Sequence, residues 1–261
     1  MSDVVALCYH GVSATWPSPL AVTPQQLEEQ VGWFMRRGYR PVTVRDAAHA
    51  RGRGKRVAIT FDDALRSVST LALPVLQRLG AVATVYAPSR YIADGAPMAW
   101  PEVRAHLATE HAAELDPMSV AQLREVAAQG WEVGSHTCTH PWLPRLDDAR
   151  LAAELGDSKR QLAEVLELPI DTLAYPFGAY DERVAEATAA AGYAAAVTLP
   201  DRVPAWPHAP DALARMTLPR IGLYRADDYR RFRLKVSRPV RVLRRSPLWD
   251  GIAAVRRWTQ G

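Results

Sequence analysis

Cysteine is scarce in this 261-residue chain, which holds only Cys8 and Cys138. That scarcity excludes a disulfide framework and a CxxC site, and it suits two free thiols in a reducing compartment. No run of eighteen apolar residues occurs, which excludes a membrane-spanning helix. The opening Met1-Ser2-Asp3 brings neither a basic n-region nor a long apolar stretch. No secretory signal is expected, and the chain reads as cytoplasmic. Internal repeats are absent, which sets aside solenoids and propellers. Core-forming residues are not lacking: 48% of the chain is hydrophobic and 23% charged, enough for one large α/β domain.

An excess of basic over acidic residues is concentrated at one end. Residues 225–261 carry eleven Lys and Arg against three Asp, a local +8 that leaves −4 for the rest of a chain of net +4. An acidic body without a reader motif argues against nucleic acid. Leu248, Ile252, Val255 and Trp258 fall at near-helical spacing beside Arg256 and Arg257. They read either as a helix packed on the domain or as a peripheral contact with the inner face of an anionic membrane. The organisation expected is a catalytic domain over 1–225 and a basic helical extension over 226–261.

Apolar runs alternate with helical patterns. Strands are expected at Val4–Tyr9, Val57–Phe61, Val82–Tyr86, Trp131–Val133, Thr172–Tyr175, Ala194–Thr198 and Met216–Ile221. Helices are expected after Thr23-Pro24, over Leu71–Leu79 up to Gly80, and over Ser119–Gln129, Asp147–Leu166 and Asp181–Ala191. Strand–helix steps of roughly thirty residues imply a parallel sheet, open or closed as a barrel. In a barrel the functional residues follow the strand ends.

Two polar clusters follow predicted strands: Thr60-Phe61-Asp62-Asp63 and Ser135-His136-Thr137-Cys138-Thr139-His140. Paired carboxylates and paired histidines are poor core material, because each buried polar group needs a partner. They suit a divalent cation, with one carboxylate left as a base. His136 and His140, four apart, would share one face of a helical turn flanked by the turn residues Gly134 and Pro141. The plainer alternatives are capping or surface histidines, and an Asx-turn or helix N-cap for the aspartates.

Together these clusters and Tyr175-Pro176-Phe177-Gly178 resemble, in order, the three motifs of the NodB-type polysaccharide deacetylases, the family 4 carbohydrate esterases. The resemblance runs from about Val4 to Tyr224. It implies a distorted (β/α) barrel of seven or eight strands, with one divalent metal held by Asp63, His136 and His140. The metal implied is zinc, with nickel or cobalt as alternatives. Asp62 would be the base. Three departures stand out. Ala64 replaces the usual glycine, a change that a helix there would accept. The arginine that opens the third motif is missing, as is the late leucine–histidine motif, since His208 lies in a Pro-rich loop. Cys8-Tyr9-His10-Gly11-Val12 resembles the start of a circularly permuted subgroup that includes biofilm poly-N-acetylglucosamine deacetylases. There the early histidine is the acid, which implies that role for His10; the alternative is a core histidine at a strand end. Leu218-Pro219-Arg220-Ile221 resembles a later segment of the same subgroup, with Arg220 in place of the missing arginine.

The resemblance implies a metal-dependent N-deacetylase acting on an N-acetylated amino sugar. The backbone N–H of Phe177 would stabilise the oxyanion, and Tyr175, Pro176 and Trp142 would line the substrate. Trp100 and Tyr180 are further stacking candidates. The alternatives are a non-catalytic carbohydrate-binding relative and an amidohydrolase acting on a non-sugar amide.

Overall fold

Nine short parallel strands make the sheet of the computed structural model, which describes residues 2–50, 52–200, 207 and 211–244. They are β1 (Ser2–Tyr9), β2 (Arg40–Val42), β3 (Gly54–Phe61), β4 (Thr84–Ala87), β5 (Glu132–Ser135), β6 (Thr172–Ala174), β7 (Ala195–Thr198), β8 (Leu218–Pro219) and β9 (Ile221–Gly222). β1 and β3 pair along their full length, from Ser2 with Gly54 to Tyr9 with Phe61. The other side of β3 is shared: β2 pairs with Arg56–Ala58 and β4 with its last two residues. From β4 the order runs through β5, β6 and β7 to β8.

Closure depends on one segment. Leu218 and Pro219 pair with β7, whereas Ile221 and Gly222 pair with β1, so Leu218–Gly222 joins the two edges and Arg220 lies at the seam. The sheet is thereby nearly closed as a barrel with helices around it, the architecture the resemblance implied.

The strands read as continuous apolar runs, but their period of two sorts residues by size. Val5, Leu7, Tyr9, Val57, Ile59 and Phe61 belong to the large outer core, together with Leu27, Val31, Phe34, Leu76, Leu155 and Leu162 from the helices. The intervening Ala6 and Ala58 join Tyr86, Ala174, Val197 and Leu218 in a separate inner cluster. Small residues let the barrel close, and Tyr86 fills its middle. Gly134, expected to be a turn residue, is instead the third residue of β5. A Cβ there would lie 2.5 Å from the Tyr86 ring.

The helix signals were accurate in kind. Thr23 caps Pro24–Met35 with a full capping box, Ser119 does the same for Val120–Ala128, and Asp147 caps Asp148–Leu166. The stretch expected as one helix to Leu79 begins as a π-helical turn, Val68–Ala72, and continues as Leu73–Arg78. β2 and the helix Val44–Ala48 carried too few residues to be read.

Residues 229–236 and 238–243 form two helices. Phe232 packs edge-on against Trp33 and Phe34. Within this basic segment Arg241 is nonetheless buried, because it meets both oxygens of Asp3 at 2.9 Å. Leu248, Ile252, Val255, Trp258 and His208 lie outside the described residues. No helix among the described residues is long and apolar enough to cross a membrane.

Candidate active site

β1, β3, β5 and β6 end on the same side of the sheet, and the segments that follow them bring the motif residues together. Asp62 and Asp63 follow β3, His136 follows β5, Pro176 and Phe177 follow β6, and His10 follows β1. Backbone strain concentrates in these segments. Asp63 (φ 68), Ala64 (φ 48), Thr137 (φ 66), His140 (φ 59) and Phe177 (φ 59) all adopt the left-handed region without being glycine. Two expectations are corrected here. Ala64 is not helical: it sits in a left-handed turn whose carbonyl accepts from Met118 N–H at 2.8 Å. His136 and His140 do not share a helical turn, because left-handed Thr137 and His140 fold their segment into a loop.

Asp63, His136 and His140 are all buried, and their donor atoms lie within 4.8 Å of one another. His136 Nδ1 sits 2.8 Å from the Ala174 carbonyl, which assigns its proton to Nδ1 and leaves Nε2 free to ligate. The Nε2 atoms of His136 and His140 stand 3.4 and 3.7 Å from Asp63 Oδ1, too long for firm hydrogen bonds. Among the described residues, buried Asp63 Oδ1 and His140 Nδ1 have no hydrogen-bond partner. Two imidazoles and a carboxylate converging with an orphaned oxygen are the donor set of a divalent cation, and the residues fit such an ion. Their electrostatics express the crowding. Burial works against a charged His136, but Asp63 and Asp62 outweigh it and push its pKa up. Burial and then the neighbouring His136 push His140 down to about 3.

Asp62 has a different setting. Arg220 Nη1 and Nη2 donate to its two oxygens at 2.6 and 2.8 Å, and Nη1 also reaches Thr60 Oγ1 at 2.9 Å. Burial alone would raise the Asp62 pKa, but the charge of Arg220 overrides it and holds the carboxyl well below the usual range. Arg220 is itself fully buried, over the Tyr86 ring. His10 stands beside this pair: one of its ring nitrogens, the Cys8 thiol and an Asp62 carboxylate oxygen lie within 4.8 Å of one another. His10 Nδ1 is a buried atom with no hydrogen-bond partner among the described residues.

The aromatic candidates separate into two kinds. Trp100 does not face a substrate: it is buried and stacks on the His140 ring at 4.0 Å. Phe177 meets that ring edge-on at 4.6 Å, and exposed Trp142 stacks on Phe177 at 5.2 Å. A row of rings thus runs from a buried histidine to the surface. Tyr175 cannot contact a substrate: its side chain is fully buried, and its hydroxyl donates to the Met216 carbonyl. Pro176 is buried, while Tyr180 stacks on Tyr175 and is itself partly exposed. Sequence reasoning missed Glu154, a buried carboxylate bound to the histidine loop. The signal was available as a charged residue on the apolar stripe of Asp148–Leu166.

The family model described as polysaccharide deacetylase matches residues 49–196. YxkH of Bacillus subtilis (strain 168), named for polysaccharide deacetylation, is 27% identical over 197 residues, covering 74% of this chain and 63% of that protein. A poly-beta-1,6-N-acetyl-D-glucosamine N-deacetylase of Staphylococcus aureus (strain MSSA476) is 23% identical over 171 residues, covering 60% of this chain and 54% of its own length. The chain therefore spans less than two thirds of both curated relatives. Among solved structures, the Streptococcus pyogenes deacetylase PplD in complex with acetate superposes with a TM-score of 0.73 at 21% identity, covering 90% of this chain and 98% of that one.

Proposed function

This chain belongs to the polysaccharide deacetylase family, and from that membership we propose that it is a metal-dependent N-deacetylase. It would hydrolyse the acetamide of an N-acetylated amino sugar to the free amine and acetate. One observation carries this reading: two adjacent aspartates occupy opposite settings. Asp63 faces two imidazoles with an oxygen unpartnered, while Asp62 is clamped ionised by Arg220.

Asp63, His136 and His140 would hold zinc, or nickel or cobalt in its place, and the ion supplies the Lewis acidity that polarises the acetamide carbonyl and acidifies water. Asp62 accepts the proton of the attacking water. Each carboxylate oxygen has two lone pairs, so the clamp of Arg220 leaves acceptor capacity toward the site. His10 donates a proton to the departing nitrogen, which leaves as the amine. The left-handed turn at Phe177 offers a backbone N–H as oxyanion donor, and exposed Trp142 offers a face to a sugar ring. The name of the Staphylococcus aureus relative favours an N-acetylglucosamine-containing glycan as substrate.

Acetate release from a panel of N-acetylated glucosamine oligomers and non-sugar amides, before and after chelation, tests the reading. Release from the sugars that chelation abolishes and zinc restores is expected. Turnover of the non-sugar amides alone would overturn the substrate, and a protein that takes up no divalent ion and releases no acetate would be a binding relative.

A further inference from the structure

Glu154 occupies a position where an apolar side chain belongs. The helix Asp148–Leu166 turns Leu151, Leu155, Leu162 and Leu166 into the core, and Glu154 and Ser158 lie buried among them. A carboxylate placed there must find donors. Glu154 finds three, all in the loop that carries the paired histidines. Cys138 N–H and Thr139 N–H donate to Oε2 at 2.8 and 2.9 Å, and Thr139 Oγ1 donates to Oε1 at 2.6 Å. One turn further along the helix, Ser158 Oγ lies 2.6 Å from Ser135 Oγ, at the root of the same loop.

This loop needs an external hold. Cys138 and Thr139 lie between His136 and His140, and Thr137 and His140 are both left-handed without being glycine. Such conformations cost about 1–2 kcal/mol per residue, so the free segment would prefer other shapes. The loop is also held by backbone bonds, from Ser89 N–H to the Thr137 carbonyl and from Arg90 N–H to that of Cys138, and by Trp100 and Phe177 packed on the His140 ring, but none of these contacts reaches the Thr139 backbone.

We infer that Glu154 is a positioning residue for the metal centre: by anchoring Cys138 and Thr139 it keeps the His136 and His140 imidazoles in register for one cation. It touches neither substrate nor reacting atoms. The inference rests on the metal reading above.

Two measurements on the full chain test it: zinc affinity by chelator competition, and amide hydrogen exchange at Cys138 and Thr139 in the metal-free protein. Glu154→Ala should weaken zinc binding about ten- to a hundredfold, the range for groups that orient ligands, and accelerate exchange at both amides. Glu154→Gln should fall between, because its amide oxygen still accepts. Thr139→Val, which removes only the hydroxyl bond, should weaken zinc binding less and serves if Glu154→Ala fails to fold. Zinc affinity within about twofold of wild type in folded variants would overturn the inference, whatever happens to the melting temperature. Were the wild-type chain to bind no zinc, the metal reading itself would fail. The exchange data would then decide alone, unchanged rates counting against Glu154.

Discussion

Arg220 and Asp62 form a buried pair in which each residue depends on the other. Removing the arginine leaves a buried carboxylate without its cation, so Arg220→Gln should cost about 3–5 kcal/mol in unfolding free energy. Burial would then raise the Asp62 pKa with only His136 and His10 left to oppose it. In the wild-type chain the folded pKa of Asp62 is depressed. Its stabilisation is therefore complete above the unfolded carboxylate range and is lost only as pH falls below it. Urea titrations at pH 7 should show the large difference between wild type and variant. The acid limb of kcat/KM should move to higher pH in Arg220→Gln, and an unmoved limb would remove Asp62 from the base role. Asp62→Asn keeps the shape but loses the proton acceptor. It should bind zinc as wild type does and lose about a hundred- to ten-thousandfold in kcat. Gly134 matters for another reason: a methyl group there meets Tyr86 inside the barrel, so Gly134→Ala should cost about 1–3 kcal/mol, read from the melting temperature.

Among the elements, the ends of strands and the loops beyond them hold the strain. The left-handed residues Asp63, Thr137, His140 and Phe177 are spread over three separate motif segments, and packing and hydrogen bonds from neighbouring elements hold them there. Ala64→Gly would relax one such residue but lose a buried methyl group and gain unfolded-chain entropy, so its stability should change by less than about 1 kcal/mol. The C-terminal helices test a different link. Arg241, by its hydrogen bonds, and then Tyr39 hold Asp3 down at about 2 against the effect of burial. The pair is thus present above the normal Asp range and is lost as pH falls through about 2. Arg241→Ala should lower the urea midpoint at pH 7 and lose most of that effect between pH 4 and pH 2.

The interior of the barrel is the scale at which the whole molecule acts as one unit. Glu132 lies inside it, accepting from Thr84 and Thr172 hydroxyls and from Arg45 N–H. Burial raises its pKa in spite of these bonds. Its folded form favours the proton, so its contribution is fullest at low pH and is lost as pH rises through the raised value. Glu132→Gln should therefore raise the urea midpoint at pH 8 relative to wild type, with the gain shrinking toward pH 4.

Much of this molecule was legible in its sequence because the signals are local. Apolar runs, capping residues and the order of the motifs depend on near neighbours, so they marked most strands and helices and the residues Asp62, Asp63, His136 and His140. What stayed hidden depends on contacts between distant segments. Nothing near Arg220 in the chain shows that Leu218–Gly222 pairs with β7 on one side and β1 on the other, and it is this closure that delivers the guanidinium to Asp62. Trp100 against His140, Tyr175 turned into the core and Glu154 beneath the histidine loop were decided in the same way. The sequence by itself determined which chemical groups follow each strand. Only the tertiary structure decided which of them meet, because buried charges and strained loops persist solely where another part of the chain supplies the partner.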